Sequence, residues 1–472
     1  MYDITIIGAG VIGALISYEL AKYDVRVLIL DRENDVCNAT SAANSAIIHA
    51  GYDPVPGSLK AQLNVESVPL FKELCENLDV EFKRIGSLLV ARSEEDHAAL
   101  LELEERAKIN GVTVKILDKE STLALEPNLT DTTHSALFAP TAGIINPFEL
   151  TSHAVENAIM HGTRLELNNE VKQIKKVDDY FVITTNVAEY KSKIVINAAG
   201  IYADEITNMV SKAEYKITPR KGSYFVIDKL SKPLVNHVIF PLPSARSKGI
   251  LIVPTTSGNY LVGPTSEQIM SREDIGTDEE TLNYIKGHAN SLVPSIPFHK
   301  TIRTFSGLRA TSTTGDFVIS HDPHVKGLIN VGGIESPGLA SAPGIALYVL
   351  NLVRDLKTLK PRENYNPRIK KRVRTVNLTQ AELKALAKQD PNYGEIVCNC
   401  EHITKAEILD LLSRPIPIKS IKAIKKRLRT GFGMCQGGFC VPKVMKIVAD
   451  YYNVPLRDVL YDEIESNIII DE

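Results

Sequence analysis

Three glycines near the start of the chain constrain its fold more than any other feature of the sequence. Gly8, Gly10 and Gly13 form a G-x-G-x-x-G pattern between an apolar run at residues 4–7 and a helical pattern at 11–22. The first glycine permits a tight turn, the second lets the backbone approach a pyrophosphate, and the third lets helix and strand pack closely. Free N–H groups at the start of the helix would then face the phosphates. The pattern predicts a dinucleotide site.

A second apolar run, residues 25–30, completes this unit and ends at Asp31. An acid at this place can accept a hydrogen bond from a ribose hydroxyl of the dinucleotide. Strand, glycine turn, helix, strand and acid follow one another as in a β-α-β unit, which predicts an α/β domain at the amino terminus. The unit alone does not distinguish a flavin from a nicotinamide dinucleotide.

The composition excludes several classes of protein. Hydrophobic residues make up 44% and charged residues 24% of the chain, as in ordinary globular proteins. The formal net charge of -3 argues against a nucleic-acid partner. No continuous apolar stretch reaches the ~18 residues that span a bilayer, and the apolar start lacks a basic segment and a cleavage site. We expect a cytoplasmic protein, with peripheral contact at the inner face of the membrane left open.

Periodicity divides the remainder of the chain into alternating strand and helix patterns. Helical patterns occupy residues 67–79, 95–110, 338–356 and 379–389, and strand patterns occupy 161–199, 215–270 and 328–331. Residues 357–375 carry two prolines and many lysines and arginines, which predicts a solvated connection. Thr404 and Glu407 form a capping-box pattern that predicts the start of a helix in the last part of the chain.

Four cysteines gather near the carboxyl terminus. Cys398 and Cys400 form C-x-C, and Cys435 and Cys440 follow as C-x4-C. Thiolates are soft ligands, so four of them predict either a [2Fe–2S] cluster or a zinc site. Zinc pairs are usually spaced C-x2-4-C, so the C-x-C spacing mildly favours iron–sulfur. Glycines around the second pair would leave backbone N–H groups free to bond cluster sulfurs, namely Gly431, Gly433, Gly437 and Gly438.

A basic segment lies between the two cysteine pairs. Its charged residues are Lys419, Lys422, Lys425, Lys426, Arg427 and Arg429, and apolar residues recur among them at helical spacing. We expect an amphipathic helix whose basic face is solvated. The alternatives are a docking face for an acidic redox partner and a counter-charge for an anionic cluster.

Three further segments of the chain resemble a known family. T-S-A-A-N-S-A-I-I-H-A-G-Y at residues 40–52 with S-L-K at 58–60, N-A-A-G-I-Y-A-D at 197–204 and G-G-I-E-S-P-G-L-A-S-A-P at 332–343 carry the likeness. They resemble the glycine-oxidase and D-amino-acid-oxidase superfamily of FAD proteins. Within it, they look most like the group of FAD-dependent glycerol-3-phosphate dehydrogenases and 2-hydroxyglutarate oxidases. The resemblance covers about residues 1–355.

The cysteine region has a likeness of its own. V-C-N-C-E at residues 397–401 and G-M-C-Q-G-G-F-C at 433–440 are similar to the [2Fe–2S] domain of bacterioferritin-associated ferredoxin. This resemblance favours a [2Fe–2S] cluster over zinc as the group held by the four cysteines.

The family resemblance implies an α/β, Rossmann-like FAD domain of the glutathione-reductase type with an inserted α+β substrate domain. A small helical [2Fe–2S] domain would follow. The expected ranges are 1–80, 145–215 and 300–356 for the FAD domain, 81–144 and 216–299 for the substrate domain, 357–394 for a linker, 395–450 for the [2Fe–2S] domain and 451–472 for a tail.

The same resemblance implies a set of FAD-binding residues. Thr40 and its neighbours would offer hydroxyls and amides to the flavin, although their composition also fits an ordinary turn. The helix that begins near Gly338 would stabilise negative charge on the reduced flavin, although a proline can start any helix. The expected residues are Gly8, Gly10, Val11, Ile12, Gly13, Asp31, Arg32, Thr40, Ser41, Asn44, Ser45, Val171, Ala199, Gly200, Gly307, Gly338 and Leu339.

The same resemblance also implies candidate catalytic residues. His49 would take the hydroxyl proton of an alcohol, since a histidine can titrate near neutral pH, or it would be a structural histidine. Arg309 would bind an anionic group of the substrate with its guanidinium fork, and Lys248 matches a lysine of the glycerol-3-phosphate enzymes. Ser336 would lie near the substrate. A surface ion pair is the alternative role for Arg309 and for Lys248, and a helix cap is the alternative role for Ser336. Tyr224 would lie either at the boundary between substrate and flavin or in a sheet core.

Together with these residues, the resemblance implies an FAD-dependent dehydrogenase. The substrate would be sn-glycerol 3-phosphate, oxidised to dihydroxyacetone phosphate by hydride transfer, with electrons leaving through the cluster to a redox partner protein or subunit. The alternatives are a 2-hydroxy acid such as 2-hydroxyglutarate, then an amino acid. A non-catalytic electron-transfer subunit is the alternative from another class.

Overall fold

A computed structural model describes residues 1–242 and 249–470 of the chain. Lys248, predicted to contact the substrate, lies outside the described residues. The described part contains two large sheets, a small three-stranded sheet between them and a helical domain at the carboxyl terminus. The predicted fold class, an α/β FAD-binding domain with an inserted substrate domain and a small helical domain, is confirmed.

The first sheet is built on the apolar strand Tyr2–Ile7, which pairs in parallel with Val27–Leu30 on one side and with Glu189–Asn197 on the other. Its burial on both faces explains the near-continuous apolar sequence of its central strands. The remaining strands of this sheet are Arg164–Glu166, Val171–Val177, Tyr180–Thr185, Val318–His321 and Leu328–Gly332.

The second sheet belongs to the substrate domain. Its longest pair joins Ile217–Ile227 to Thr301–Ser312 in antiparallel register over the whole length of the first strand. The predicted boundary that placed residues 300–312 in the FAD domain is therefore wrong. The other strands are Ser87–Ala91, Lys115–Asp118, Ser135–Ala139, Val238–Pro241, Leu251–Pro254, Tyr260–Gly263 and Glu267–Gln268, while Ile47–Ile48, Phe82–Lys83 and Gly143–Ile145 form the small sheet.

The helical patterns at residues 11–22, 95–110, 338–356 and 379–389 each correspond to a helix, whereas helices such as Pro147–Met160 and Glu279–Leu292 were not predicted. The pattern at residues 67–79 is interrupted by a 3-10 turn, Val68–Leu70, which contains Pro69, and helical structure already begins at Leu59 because the Ser58 hydroxyl caps that end. The α-helices are Val11–Leu20, Leu59–Ser67, Phe71–Asn77, Glu94–Ile109, Lys119–Leu125, Pro147–Met160, Ala203–Asn208, Glu279–Leu292, Gly338–Leu356, Gln380–Gln389, Lys405–Leu412, Ile421–Leu428 and Val441–Tyr452.

Within the residues that the structure describes, one helix is long and apolar enough to span a membrane by length and composition, Gly338–Leu356. More than half of it is buried inside the protein, where it packs against Val11–Leu20 and Leu59–Ser67. It is the central helix of the largest apolar core, and this packing accounts for its composition.

The segment that follows this helix, residues 357–375, is largely exposed, as predicted for a solvated connection, but it is anchored at several points. Arg372 is buried and pairs with the buried carboxylate of Glu149, while Arg374 pairs with Asp79 at 2.9 Å. Ile369 is buried in the core of the FAD domain. Polar composition suggested solvent, but carboxylates from distant parts of the chain bind these arginines and fix the segment to the FAD domain.

The carboxyl-terminal domain, residues 395–470, is called the cluster domain below. A short hairpin, Ile396–Cys398 with Ile403–Thr404, is followed by three helices around an apolar core of their own. The predicted capping box is confirmed, because Thr404 and Glu407 each accept a hydrogen bond from the other's backbone N–H. Helix Val441–Tyr452 begins directly after Cys440 and continues past the predicted end at residue 450.

Candidate functional site

A single cavity of about 730 Å³ runs from the glycine turn, residues 8–13, into the substrate domain. Its volume and its mixed lining suit a large organic cofactor together with a small substrate. Most of the residues predicted to bind the cofactor line it: Gly8, Gly10, Val11, Ile12, Asp31, Arg32, Thr40, Ser41, Asn44, Ser45, Val171, Ala199, Gly200, Gly307, Gly338 and Leu339. His49, Arg309 and Ser336 line it as well.

The glycine turn is shaped by close backbone contacts. Gly8 adopts a φ of 110°, a left-handed conformation that favours glycine. Gly13 does not line the cavity, and a Cβ at this position would overlap the carbonyl oxygen of Gly8. It has the packing role that the pattern assigned to the third glycine, and the helix starts at Val11 with its N–H donating to the Ser41 hydroxyl at 2.9 Å.

Asp31 sits at the end of its strand, beside the glycine turn. Its carboxylate accepts the backbone N–H of Ala9 at 2.5 Å and that of Glu33 at 2.9 Å. Burial outweighs these bonds and raises the pKa of Asp31 to about 6. The adjacent Arg32 guanidinium lies 4.2 Å from the centre of the Tyr202 ring. This end of the cavity offers a carboxylate acceptor and a cation on an aromatic ring, which suits a ribose and its neighbouring groups.

The loop at residues 40–45 is both a hydrogen-bonded turn and part of the cavity wall, so the two interpretations of its composition hold together. Thr40 donates to the carbonyl of Leu308 at 2.7 Å, which ties the loop to the substrate sheet. Asn44 donates to the carbonyl of Ser41 at 2.7 Å, and Ser45 shares a hydrogen bond of 3.0 Å with the hydroxyl of Tyr224.

His49 follows this loop and lines the cavity, half-buried. Its ring lies 5.8 Å from that of Phe240, another wall residue that the sequence did not single out. The carbonyl of His49 accepts the side-chain amide of Asn64 at 2.9 Å, which fixes the backbone at this position. The imidazole thus stands in the cavity wall beside Phe240.

Arg309 projects from the strand Thr301–Ser312 into the same cavity. Its guanidinium donates to the carbonyl of Thr265 at 3.0 Å and to the hydroxyl of Ser266 at 3.3 Å. Across residues 1–242 and 249–470, no carboxylate lies within ion-pairing distance of it, so the alternative of a surface ion pair does not apply. Gly222 makes room for the guanidinium, because a Cβ there would lie 2.6 Å from Nη2.

Ser336 lies directly before the central helix. The residue that caps this helix is Pro337, and no side chain bonds to its first N–H groups, so Ser336 is not a helix cap. The first residues of the helix, Gly338 and Leu339, line the cavity. The start of a long helix thus faces the cofactor region, where its dipole favours negative charge.

An ion pair beside Ser336 was missed as a site feature. Lys60 pairs with Glu335 at 2.8 Å, and both side chains are half-buried at the cavity wall. The other carboxylate oxygen of Glu335 accepts the hydroxyl of Thr311 at 2.7 Å. The S-L-K segment belonged to the family likeness, so Lys60 could have been named from it, but its partner is distant in sequence.

The four predicted cluster ligands form two pairs of thiols. The Sγ atoms of Cys400 and Cys435 lie 3.8 Å apart, and Cys398 and Cys440 share a hydrogen bond. Two thiol pairs match the chemistry of a [2Fe–2S] cluster, in which four cysteines serve two irons.

Backbone N–H groups surround the thiols, as the glycines in the sequence suggested. The hydrogen bond from Cys440 lowers the pKa of Cys398 to about 5, and backbone bonds from Gly431 and Glu401 act in the same direction against burial. A backbone bond from Gly437 lowers the pKa of Cys435. The thiol–thiol bond with Cys398 raises the pKa of Cys440, and burial raises that of Cys400, so within each pair one thiol is favoured as the thiolate, the form that binds metal.

The basic segment does not have the solvated face that we expected. Lys425, Lys426 and Arg427 are buried, and only Lys419 among the six basic residues is exposed. Arg427 pairs with the buried carboxylate of Asp35, from the FAD domain, at 2.6 Å. Partners in a distant part of the chain replace water, so the segment is an internal interface. Burial lowers the pKa of Lys425 to about 8.

Family models match both parts of the chain. The model described as FAD dependent oxidoreductase matches residues 3–352. The chain belongs to this family. A second model, described as BFD-like [2Fe-2S] binding domain, matches residues 396–450 of this flavoprotein. The predicted family and both predicted cofactors, FAD and a [2Fe–2S] cluster, are confirmed.

One similar protein matches this flavoprotein over nearly its whole length, and others match it over about three quarters of its length. It is 44% identical to the glycerol 3-phosphate dehydrogenase of Caloramator mitchellensis, covering 99% of this chain and 98% of that one. It is 33% identical to the glycerol 3-phosphate oxidase of Mycoplasma genitalium, over 77% of this chain and 97% of that one. Among solved structures, the L-alpha-glycerophosphate oxidase of Mycoplasma pneumoniae with FAD bound superimposes with a TM-score of 0.75 at 28% identity, covering 78% of this chain and 98% of that one.

Proposed function

We propose that this flavoprotein oxidises sn-glycerol 3-phosphate to dihydroxyacetone phosphate. FAD bound in the cavity would supply the hydride acceptor, and a [2Fe–2S] cluster held by Cys398, Cys400, Cys435 and Cys440 would supply single-electron transfer to a partner protein. The observation that carries the proposal is a pocket with a half-buried arginine, Arg309, that has neutral hydrogen-bond partners and lies in the same cavity as His49. The names of the similar proteins support the choice of substrate.

The chain's own residues divide the work between binding and proton transfer. Arg309 presents a planar fork of donors that suits the phosphate of the substrate, and the Thr265 carbonyl holds this fork in place. His49 takes the proton of the secondary hydroxyl as the C–H bond breaks, so that no charge is left on the product carbonyl. The hydroxyl of Ser336, not engaged in capping, would orient the substrate oxygen.

Anaerobic reduction of the flavin by candidate substrates tests the proposal. The holoprotein is mixed with glycerol 3-phosphate, 2-hydroxyglutarate or proline, and bleaching of the flavin absorbance is followed in time. We expect rapid bleaching by glycerol 3-phosphate alone. Rapid bleaching by 2-hydroxyglutarate would move the assignment to a 2-hydroxy acid dehydrogenase, and no bleaching by any of them would favour a non-catalytic electron-transfer subunit.

The variant His49→Gln separates catalysis from cofactor binding. A general base contributes about 10²- to 10⁴-fold to such a step, so bleaching by glycerol 3-phosphate should slow by this factor. Reduction by dithionite should be unchanged, because it needs no protein base. Low-temperature EPR of the dithionite-reduced protein measures the [2Fe–2S] signal in the same sample, and a normal signal shows that the variant is folded.

A further inference from the structure

The segment Asp35–Asn38 lies between the cluster domain and the FAD site. On one side, the N–H of Cys37 donates to the carbonyl of Ala9, inside the glycine turn, at 3.2 Å. The side chain of Asn38 lines the flavin cavity, and the loop at residues 40–45 follows directly. On the other side, the segment contacts the helix Ile421–Leu428 of the cluster domain.

Lys426 holds this segment with several oxygen acceptors. Its ammonium group donates to the carbonyl of Val36 at 3.0 Å and to the side-chain oxygen of Asn38 at 2.5 Å. It also pairs with the carboxylate of Asp35 at 2.7 Å. A longer contact of 3.4 Å reaches the carbonyl of Cys37, so the three donors of the ammonium group face an acceptor from every residue of the segment.

Arg427 adds a second fixed contact. Its two Nη atoms bond the two carboxylate oxygens of Asp35 at 2.6 and 2.7 Å, in the bidentate geometry that is most specific for this pair. Asp35, Lys426 and Arg427 are all buried, and a buried charge is tolerated only with its partner in place. The helix therefore cannot slide along the segment without unpairing buried charges.

The backbone of the segment needs such support. Cys37 has a φ of 58°, a left-handed conformation that is unfavourable for a residue other than glycine. Conformations of this kind persist only where the surroundings hold them, and they occur at ligand sites. Here the carbonyl oxygens of Val36 and Cys37 both accept hydrogen bonds from Lys426. The backbone N–H of Cys37 donates to the carbonyl of Ala9 in the glycine turn.

We propose that Lys426 and Arg427 of the cluster domain are positioning residues of the FAD site, which is incomplete until the cluster domain docks. They act through the segment Asp35–Asn38, which connects them to the glycine turn and to the cavity wall. The proposal rests on FAD as cofactor and is independent of the substrate. A purely adhesive role for these residues would affect domain docking and leave FAD affinity unchanged.

FAD release from the full-length holoprotein tests this idea. Lys426→Met removes the bonds to Val36 and Asn38 and keeps the pair between Asp35 and Arg427. After dilution, the gain of free-flavin fluorescence gives the rate of release, and EPR of the reduced sample gives the cluster content. We expect at least about tenfold faster release at full cluster content. Release at the wild-type rate would overturn the proposal.

Lys422→Met is the matched control, because it removes a lysine from the same helix. Lys422 bonds Asp462 in the last segment of the chain and is not among the residues that line the flavin cavity. It should release FAD at the wild-type rate. If Lys426→Met fails to fold, Asn38→Ala tests the contact from the other side, and we again expect faster release with an unchanged cluster signal. Wild-type release from Asn38→Ala would then count against the proposal.

Discussion

Arg309 and Arg427 show how differently the flavin cavity and the interface beneath the cluster domain use the same side chain. Arg309 is half-buried and donates to a carbonyl and a hydroxyl, so its charge is left for an anionic ligand. Arg427 is buried and gives both ends of its fork to the carboxylate of Asp35. Arg309 can therefore still bind an anionic ligand, whereas Arg427 is fully engaged by the carboxylate of Asp35.

The comparison extends to the regions around the two arginines. The flavin cavity is lined by glycines, hydroxyls and backbone groups from several short motifs, and the shape within each motif is set by neighbouring residues. The interface is built from buried ion pairs whose members are remote, such as Arg427 with Asp35 and Arg414 with Glu156. Cofactor binding therefore depends on local shape, whereas domain docking depends on complete pairing of charges.

The largest expected effect on the free energy of unfolding comes from a substitution in the glycine turn, which forms one end of the cavity. Gly13→Ala would place a Cβ onto the carbonyl oxygen of Gly8, and the side chain of the buried Ile6, 3.2 Å away, leaves little room to adjust. We expect a loss of more than about 4 kcal/mol in the free energy of unfolding, together with loss of FAD, since strain in a packed turn belongs to the most damaging class of substitutions. Urea unfolding and the flavin absorbance of the purified protein measure both.

Gly287→Ala is the control for this substitution. Gly287 lies inside the helix Glu279–Leu292, and a Cβ there would meet nothing within 4 Å. Alanine should stabilise the helix by up to about 1 kcal/mol, with FAD retained. Equal losses in the two variants would contradict the packing role of Gly13.

A smaller loss is expected from breaking the interface. Arg427→Met leaves the buried carboxylate of Asp35 with Lys426 alone and should cost about 3–5 kcal/mol in the free energy of unfolding, as for other buried pairs that lose one partner. Burial would raise the pKa of Asp35, but Arg427 and Lys426 outweigh it and lower the pKa to about 2. Urea titrations of the cluster domain's unfolding transition measure the loss.

The pH dependence of this loss identifies the carboxylate as its cause. A lowered pKa means that the pair stabilises the protein fully above the unfolded value of about 3.9 and is lost as the pH falls through about 2. The difference between wild type and Arg427→Met should therefore be constant from about pH 7 to about pH 5 and shrink below about pH 4. A difference that stays constant into acid would exclude Asp35 as the partner that matters.

The two regions also differ in how far they could be predicted. The glycine turn and the capping box at Thr404 are local patterns whose partners lie a few residues away, and both predictions agree with the structure. The basic segment was misjudged because Asp35 and Arg427 are 392 residues apart, and no local pattern pairs them. The boundary at residue 300 failed for the same reason, since strand pairing over such distances is set by the tertiary fold.

An effect on substrate binding alone is expected at Arg309. Arg309→Lys keeps the charge but loses the planar fork, so kcat/KM for glycerol 3-phosphate should fall about 10- to 100-fold, the value of about 1.5–3 kcal/mol for bonds to a charged group. This fall in kcat/KM should come mainly from an increase in KM, with the flavin spectrum unchanged. Arg303→Lys, at an exposed position of the same strand, is the control, and an equal increase in KM there would remove Arg309 from the site.

The smallest effect concerns the pH dependence of FAD binding. Burial raises the pKa of Asp31 to about 6, and its carboxylate accepts a hydrogen bond from a ribose hydroxyl more strongly than the neutral acid does. FAD affinity should be constant well above pH 6 and fall as the pH drops through about 6, by at most about tenfold for each pH unit, because one unit of protonation costs at most about 1.4 kcal/mol. Rates of FAD release between about pH 7 and about pH 5 measure this, and Asp31→Asn should show a flat profile with faster release throughout. A profile in Asp31→Asn as steep as in wild type would mean that another group controls release. In that case the acid at the end of the second strand would serve the glycine turn, through the N–H of Ala9, more than the ribose.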